Sequence, residues 1–354
     1  MRITGIEFWK VKMKLAVPYT IAYDTFDSAI NVFIRLKTNF GIVGIGCGAP
    51  APEVTGETEK DVLEKTAHVV EPLLKNADPL RLSFLIEKLK PELKNYPATQ
   101  AMVDSALWDI MAKKADIPLY KLLGGFRDRM KTSITIGIMP VAETVENAKD
   151  FIRQGFKVLK IKGGINVDED IERLVKTRDA VGKSIEIRFD ANQGYSVDES
   201  IRFVKETQNV RVELLEQPTP YDELDKMAQV TTKTTIPIMA DESLQSLRDV
   251  FNIARRNQAD MINIKIMKVG GVSEAMHINS VARSAGLEAM VGCMDESALG
   301  ISAGLAFALS RPNVIYADLD GHLDLIGDPA EGAVILKDGF LYPSSKPGLG
   351  IDQL

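Results

Sequence analysis

Apolar and polar positions change rhythm once along the chain. In residues 1–125 the runs "ITGIEFWKVKM", "NVFIRLKTN" and "GIVGIGCGA" have strand character. The later runs "TEKDVLEKTAHVVEPLLK" and "QAMVDSALWDIMAKKA" repeat apolar residues at helical spacing. Strands first and helices after predict an α+β unit. Residues 126–320 then alternate. The strand-like runs are "KTSITIGI", "KVLKIK", "IEIRFD", "RVELLEQ", "PIMAD", "MINIKI", "LEAMVG" and "NVIYAD", separated by helical stretches such as "AETVENAKDFIRQG" and "VSEAMHINSVARSAG". Eight strands with intervening helices predict an α/β chain built on a (β/α)8-type barrel. An open doubly wound sheet is the alternative. The Pro/Gly-rich residues 321–354 are expected to pack back on the first domain.

Gly41, Gly44, Gly46 and Gly48 invite a check for a dinucleotide loop. Such a loop must open a helix, and Pro50 and Pro52 stand where that helix would begin. The expectation is a turn and a mobile loop.

In a (β/α)8 barrel, chemistry sits at the C-terminal ends of the strands. The second strand ends in Lys160 and Lys162, the third in Asp190 with Asn192 beyond, the fourth in Glu216, the fifth in Asp241 and the sixth in Lys265. Charge therefore recurs at one type of position on five consecutive strands. Singly, each acid could cap the next helix, and each lysine could snorkel to solvent. Together, three carboxylates would repel unless a cation joined them. A set without histidine or cysteine indicates a hard ion such as Mg2+, one per subunit. Lys160 and Lys162, two residues apart on a strand, point the same way, and the acidic cluster would hold them. Lys162 and Lys265 lie on opposite sides of an eight-stranded ring. Burial and the ion would lower a lysine pKa toward that of a competent base. Two bases facing one carbon suit a 1,1-proton transfer through an enediolate.

Composition narrows the setting. A net charge of −6 excludes an electrostatic partnership with nucleic acid or an anionic membrane surface. The two cysteines give no disulfide framework, and the three histidines have no zinc-ligand spacing. No signal peptide or membrane span is evident, so a cytoplasmic protein, assembled as a homo-oligomer, is expected.

The motifs "KIK" at 160–162, "DANQ" at 190–193, "EQP" at 216–218, "ADES" at 240–243, "NIKIMKVGG" at 263–271 and "GCMDES" at 292–297 resemble the muconate-lactonizing branch of the enolase superfamily. The likeness extends over essentially the whole chain, including "LWDIMAKKADIPLYKLLGG" at 107–125. It implies a TIM barrel beneath an N-terminal capping domain, with lysine bases and a metal-stabilised enediolate. Asp318 and Asp320, in "YADLDG", resemble the acidic pair by which dipeptide epimerases hold the substrate's α-ammonium group. The resemblance implies that Lys160 pairs with the substrate carboxylate and that Thr135, Asn192 and Cys293 line the substrate, with Asp295 and Glu296 close by. It thus implies an isomerase acting on the C-terminal residue of a dipeptide. An o-succinylbenzoate synthase or muconate cycloisomerase would use the same lysines and metal, but its substrates carry no ammonium group. A barrel that binds without catalysing is a further class.

The Ala-Glu epimerases carry an arginine on the capping loop; here Asp24 stands at about that position, and no lysine or arginine occurs between Val17 and Asn31. An anionic side chain would find no counter-charge. Tyr19, Ile21, Tyr23 and Phe26 predict hydrophobic or aromatic dipeptides, while Asp24 makes cationic ones the rival class.

Overall fold

A computed structural model describes every residue except Ile21, Tyr23 and Asp24; the Tyr19 side chain is also outside the description. Of the five residues expected to set specificity, only Phe26 is therefore described in full.

The N-terminal domain is an antiparallel sheet backed by helices. Ile3–Thr20 pairs with Thr25–Thr38, which pairs in turn with Val43–Gly48. Its main helix, Pro97–Ala115, lies almost wholly buried against them. The glycine cluster explains the close fit. Gly44, Gly46 and Gly48 sit in the strand Val43–Gly48, not in a mobile loop; only Gly41, at φ 76°, makes a turn. Alternate residues share a strand face, and here that face meets backbone. A Cβ on Gly46 would lie 2.0 Å from the Met102 carbonyl oxygen, and one on Gly44 2.4 Å from that of Ala106. The glycines exist so that a helix can lie on the sheet.

Buried acids fasten the same helix. The Glu57 carboxylate accepts from the amides of Ala98 and Thr99 at its N-terminus, where a negative charge is favoured. Asp109 accepts from Ile45 N at 2.9 Å and from Leu349 N at 2.7 Å, so sheet, helix and C-terminal segment meet on one side chain. The C-terminal segment also adds Leu325–Ile326 to the sheet beside the first strand. Against the barrel, Asp104 accepts from Ser273 N, Trp108 donates to Ser273 Oγ and Gln100 donates to the Gly270 carbonyl.

The second domain is a nearly closed parallel barrel of eight strands. In chain order they are Ile134–Ile136, Val158–Lys162, Glu186–Asp190, Val212–Glu216, Ile238–Ala240, Met261–Lys265, Glu288–Gly292 and Val314–Asp318. Each pairs in parallel with the next, and an isolated bridge from Thr132 to Ala317 joins the two edges. The run "KTSITIGI" divides: Met130–Lys131 joins a small antiparallel sheet with Phe340–Pro343, and Ile134–Ile136 begins the barrel. Among the described residues, no helix is long and apolar enough to cross a membrane.

Candidate active site

The strand ends converge as their spacing predicts. Lys162, Asp190, Glu216, Lys265 and Asp318 are the last residues of their strands, and Asp241 follows its strand directly. None of the three acids between the lysines is spent on capping. The helices after the third and fifth strands are capped by Ser196 and Ser246 instead.

Asp190, Glu216 and Asp241 are fully buried, and one carboxylate oxygen from each lies within 4.8 Å of the others. Asn192 N donates to Asp190 Oδ1 at 2.9 Å, and Asn263 Nδ2 to Glu216 Oε1 at 2.7 Å. Glu216 Oε2 and Asp241 Oδ2 accept no hydrogen bond of normal geometry, although ammonium groups stand 2.8 Å from each. Buried carboxylate oxygens left this way suit a hard cation.

Four ammonium groups surround the trio. Lys162 reaches Asp190 Oδ2 at 2.8 Å, and Lys265 reaches Asp241 Oδ2 at 2.8 Å. They come from the second and sixth of eight strands, and so approach from opposite sides. Lys160, buried, bridges Glu216 and Asp318 at 2.8 Å each and Asp190 at 3.1 Å. Lys268, also buried, donates to Asp241 Oδ1 at 2.5 Å.

The expected lowering of a lysine pKa counts on a bound cation; the carboxylates by themselves pull Lys160 and Lys265 the other way. Burial opposes the charge on Lys160, but Asp190, Asp318 and Glu216 outweigh it and hold the ammonium well above the ordinary lysine value. Lys265 is likewise raised, with Asp241 overcoming burial. Lys268 goes the other way, since burial prevails over Asp241. Among the acids, burial and the charge of Asp190 push Glu216 up to about 8. Asp190 itself falls to about 2, because Lys160 and Lys162 overcome burial.

A cavity of about 580 Å3 opens over this cluster. Thr135, Lys160, Lys162, Asn192, Lys265, Cys293, Asp318 and Asp320 all line it, as does Phe26 near the start of the capping-domain strand Thr25–Thr38. Asp295 lines it too, whereas Glu296 is buried beside it, pushed up to about 8 by desolvation. Asp318 accepts from Ser133 Oγ at 2.6 Å and from Lys160 at 2.8 Å. Asp320 accepts from Thr135 N at 2.6 Å and is raised to about 7 by burial and by Asp318. Sequence reasoning missed Ser133, Lys268 and Asn263, and also Asn31, whose side chain bonds to Asp295 O and Ser297 N beside the cavity. The short helix Ile266–Val269 after the sixth strand was the available signal for Lys268, since it turns that side chain back under Asp241.

Residues 3–124 match the family described as mandelate racemase / muconate lactonizing enzyme, N-terminal domain, and residues 143–353 match enolase C-terminal domain-like. The chain belongs to the enolase superfamily. Within that superfamily it is 41% identical to the L-Lys-D/L-Arg epimerase of Desulforapulum autotrophicum, over 100% of both chains. The dipeptide epimerase of Enterococcus faecalis, solved with Mg and L-Leu-L-Tyr, superposes with a TM-score of 0.97 at 35% identity over 100% of both chains. That of Methylococcus capsulatus, solved with Mg and L-Arg-D-Lys, gives 0.95 at 36% identity, again over 100% of both.

Proposed function

We propose that this protein, an isomerase of the epimerase and racemase kind, inverts the α-carbon of the C-terminal residue of dipeptides, with cationic side chains favoured. The observation that carries the reaction is that Lys162 and Lys265, ending the second and sixth of eight strands, each stand 2.8 Å from a member of one buried acidic trio. Asp190, Glu216 and Asp241 would hold one Mg2+. The ion would supply Lewis-acid stabilisation of charge developing on the substrate carboxylate and would offset the carboxylate field on the lysines. One lysine takes the α-proton and the other returns one to the opposite face. Asp318 and Asp320 receive the substrate's α-ammonium group, which disfavours the lyase and cycloisomerase alternatives.

The charge of the cavity supports the side-chain preference. Beyond Lys160, Lys162 and Lys265, its charged lining residues are all acidic, among them Glu53, Glu59, Asp150, Asp295 and Asp324. Burial raises the Asp324 carboxyl, so a cation there would be welcome. Among the described lining residues no cation lies beyond the chemical end, and the two cations nearest that wall, Lys10 and Arg153, are already paired with Glu59 and Asp150, which speaks against Ala-Glu. The second reading is hydrophobic dipeptides, favoured by Leu15, Phe26, Ile30, Val54 and Phe151 in the same lining.

Incubation with mixed L,L-dipeptides and Mg2+ in D2O, read by mass spectrometry, tests both levels. Deuterium should enter at the C-terminal residue's α-carbon, fastest in dipeptides containing Lys or Arg. Lys162→Ala and Lys265→Ala should each abolish epimerisation. Absence of deuterium would overturn the reaction, and Ala-Glu emerging as best substrate would overturn the preference.

A further inference from the structure

The barrel does not close by a continuous ladder. Between its first and eighth strands the backbone bridge runs from Thr132 to Ala317, and side chains complete the seam. Leu319 N donates to Thr132 Oγ1 at 2.9 Å, Ser133 Oγ donates to Asp318 Oδ1 at 2.6 Å, and Thr135 N donates to Asp320 Oδ2 at 2.6 Å. Three nearly consecutive residues of one edge thus match Asp318, Leu319 and Asp320 of the other.

Ser133 is fully buried and lies outside the cavity lining, so it cannot touch substrate. Beneath it, Arg188 donates to the Ala317 carbonyl at 2.9 Å and comes within 3.5 Å of Ser133 Oγ. Arg188 is held in turn by Glu213 at 3.1 Å and by the Tyr316 ring at 4.7 Å. The hydroxyl is therefore fixed from below. A carboxylate has about four lone-pair directions. With Lys160 on one oxygen of Asp318 and Ser133 on the other, the plane of the group is set, and the remaining directions are free for a ligand.

We propose that Ser133 is a positioning residue for the subsite of the substrate's α-ammonium group, acting through Asp318. The inference rests on the reading that Asp318 and Asp320 receive that group. Without the hydroxyl, Asp318 Oδ1 is a buried acceptor lacking its donor, and the carboxylate turns away from the ammonium position.

The test is titration calorimetry on Mg2+-loaded protein with a cationic dipeptide and its N-acetyl counterpart. The readout is the ratio of their Kd values, because a general structural lesion weakens both alike. Ser133→Ala should reduce the preference for the free amine about tenfold, and Ser133→Thr should restore it. Ser133→Cys, similar in shape but a weak donor, should behave like Ser133→Ala and serves if the alanine variant does not fold. An unchanged ratio in Ser133→Ala or Ser133→Cys, together with a reduced one in Asp318→Asn, overturns the role of Ser133. An unchanged ratio in Asp318→Asn as well overturns the ammonium reading itself.

Discussion

Replacing Lys160 by Met tests how strongly one ammonium group binds the acidic cluster together. Its Nζ has carboxylate oxygens at 2.8, 2.8 and 3.1 Å. With an effective dielectric constant of about 20, each contact with an ionised carboxylate is worth about 6 kcal/mol of Coulomb attraction, and Glu216, raised to about 8, gives less of it near neutral pH. Desolvating the ammonium returns several kcal/mol of that. Taking away one partner of a buried charge cluster typically costs about 3–5 kcal/mol, since the opposing charges stay behind. Urea unfolding of EDTA-treated wild type and Lys160→Met measures the loss directly. The gap should be about 3–5 kcal/mol in EDTA. It should narrow in excess Mg2+, because the variant, left with the unrelieved repulsion of Asp190, Glu216 and Asp241, binds the ion more tightly; each tenfold in Kd narrows the gap by about 1.4 kcal/mol. A gap below about 1 kcal/mol in EDTA, the worth of an exposed ion pair, would refute the reasoning.

Two further outcomes follow from the capping domain. Burial raises Asp104 and Glu57 each to about 7, so the folded state holds more protons than the unfolded one. Their contribution is complete below the ordinary carboxylate range and is lost as pH rises through about 7; urea unfolding should show wild type weakening between pH 5 and 8 more than a protein carrying Asp104→Asn and Glu57→Gln. Gly46→Ala forces a Cβ to within 2.0 Å of a backbone oxygen and should cost about 3 kcal/mol or more. Gly41→Ala has open space and only an unfavourable φ of 76°, costing about 1 kcal/mol; thermal melts of the two compare strain with clash.

The barrel and its acidic trio were legible because strand ends recur once per βα unit, and that period brings Asp190, Glu216 and Asp241 together. The glycine cluster was not, because its cause is a helix more than fifty residues further on. Nor was the carboxylate field on Lys160. Burial alone argues downward, and the upward pull on Lys160 comes from carboxylates on three other strands, one of them the eighth. Ser133 looked like an ordinary strand serine, since its partner lies 185 residues away. Ile21, Tyr23 and Asp24 lie outside the described residues, so the proposed cationic preference rests on the acids of the cavity wall.

Asn31 carries a consequence of its own. From the capping sheet its Nδ2 donates to the Asp295 carbonyl at 3.0 Å, while its Oδ1 accepts from Ser297 N at 2.7 Å. The segment that runs on from Cys293 is thus fastened by the other domain. The two halves are therefore not interchangeable parts. A chimaera pairing this barrel with a foreign lid would keep every lysine at the strand ends and still lose a wall of its cavity unless the lid brought an amide to that spot, and recombination between relatives is constrained accordingly.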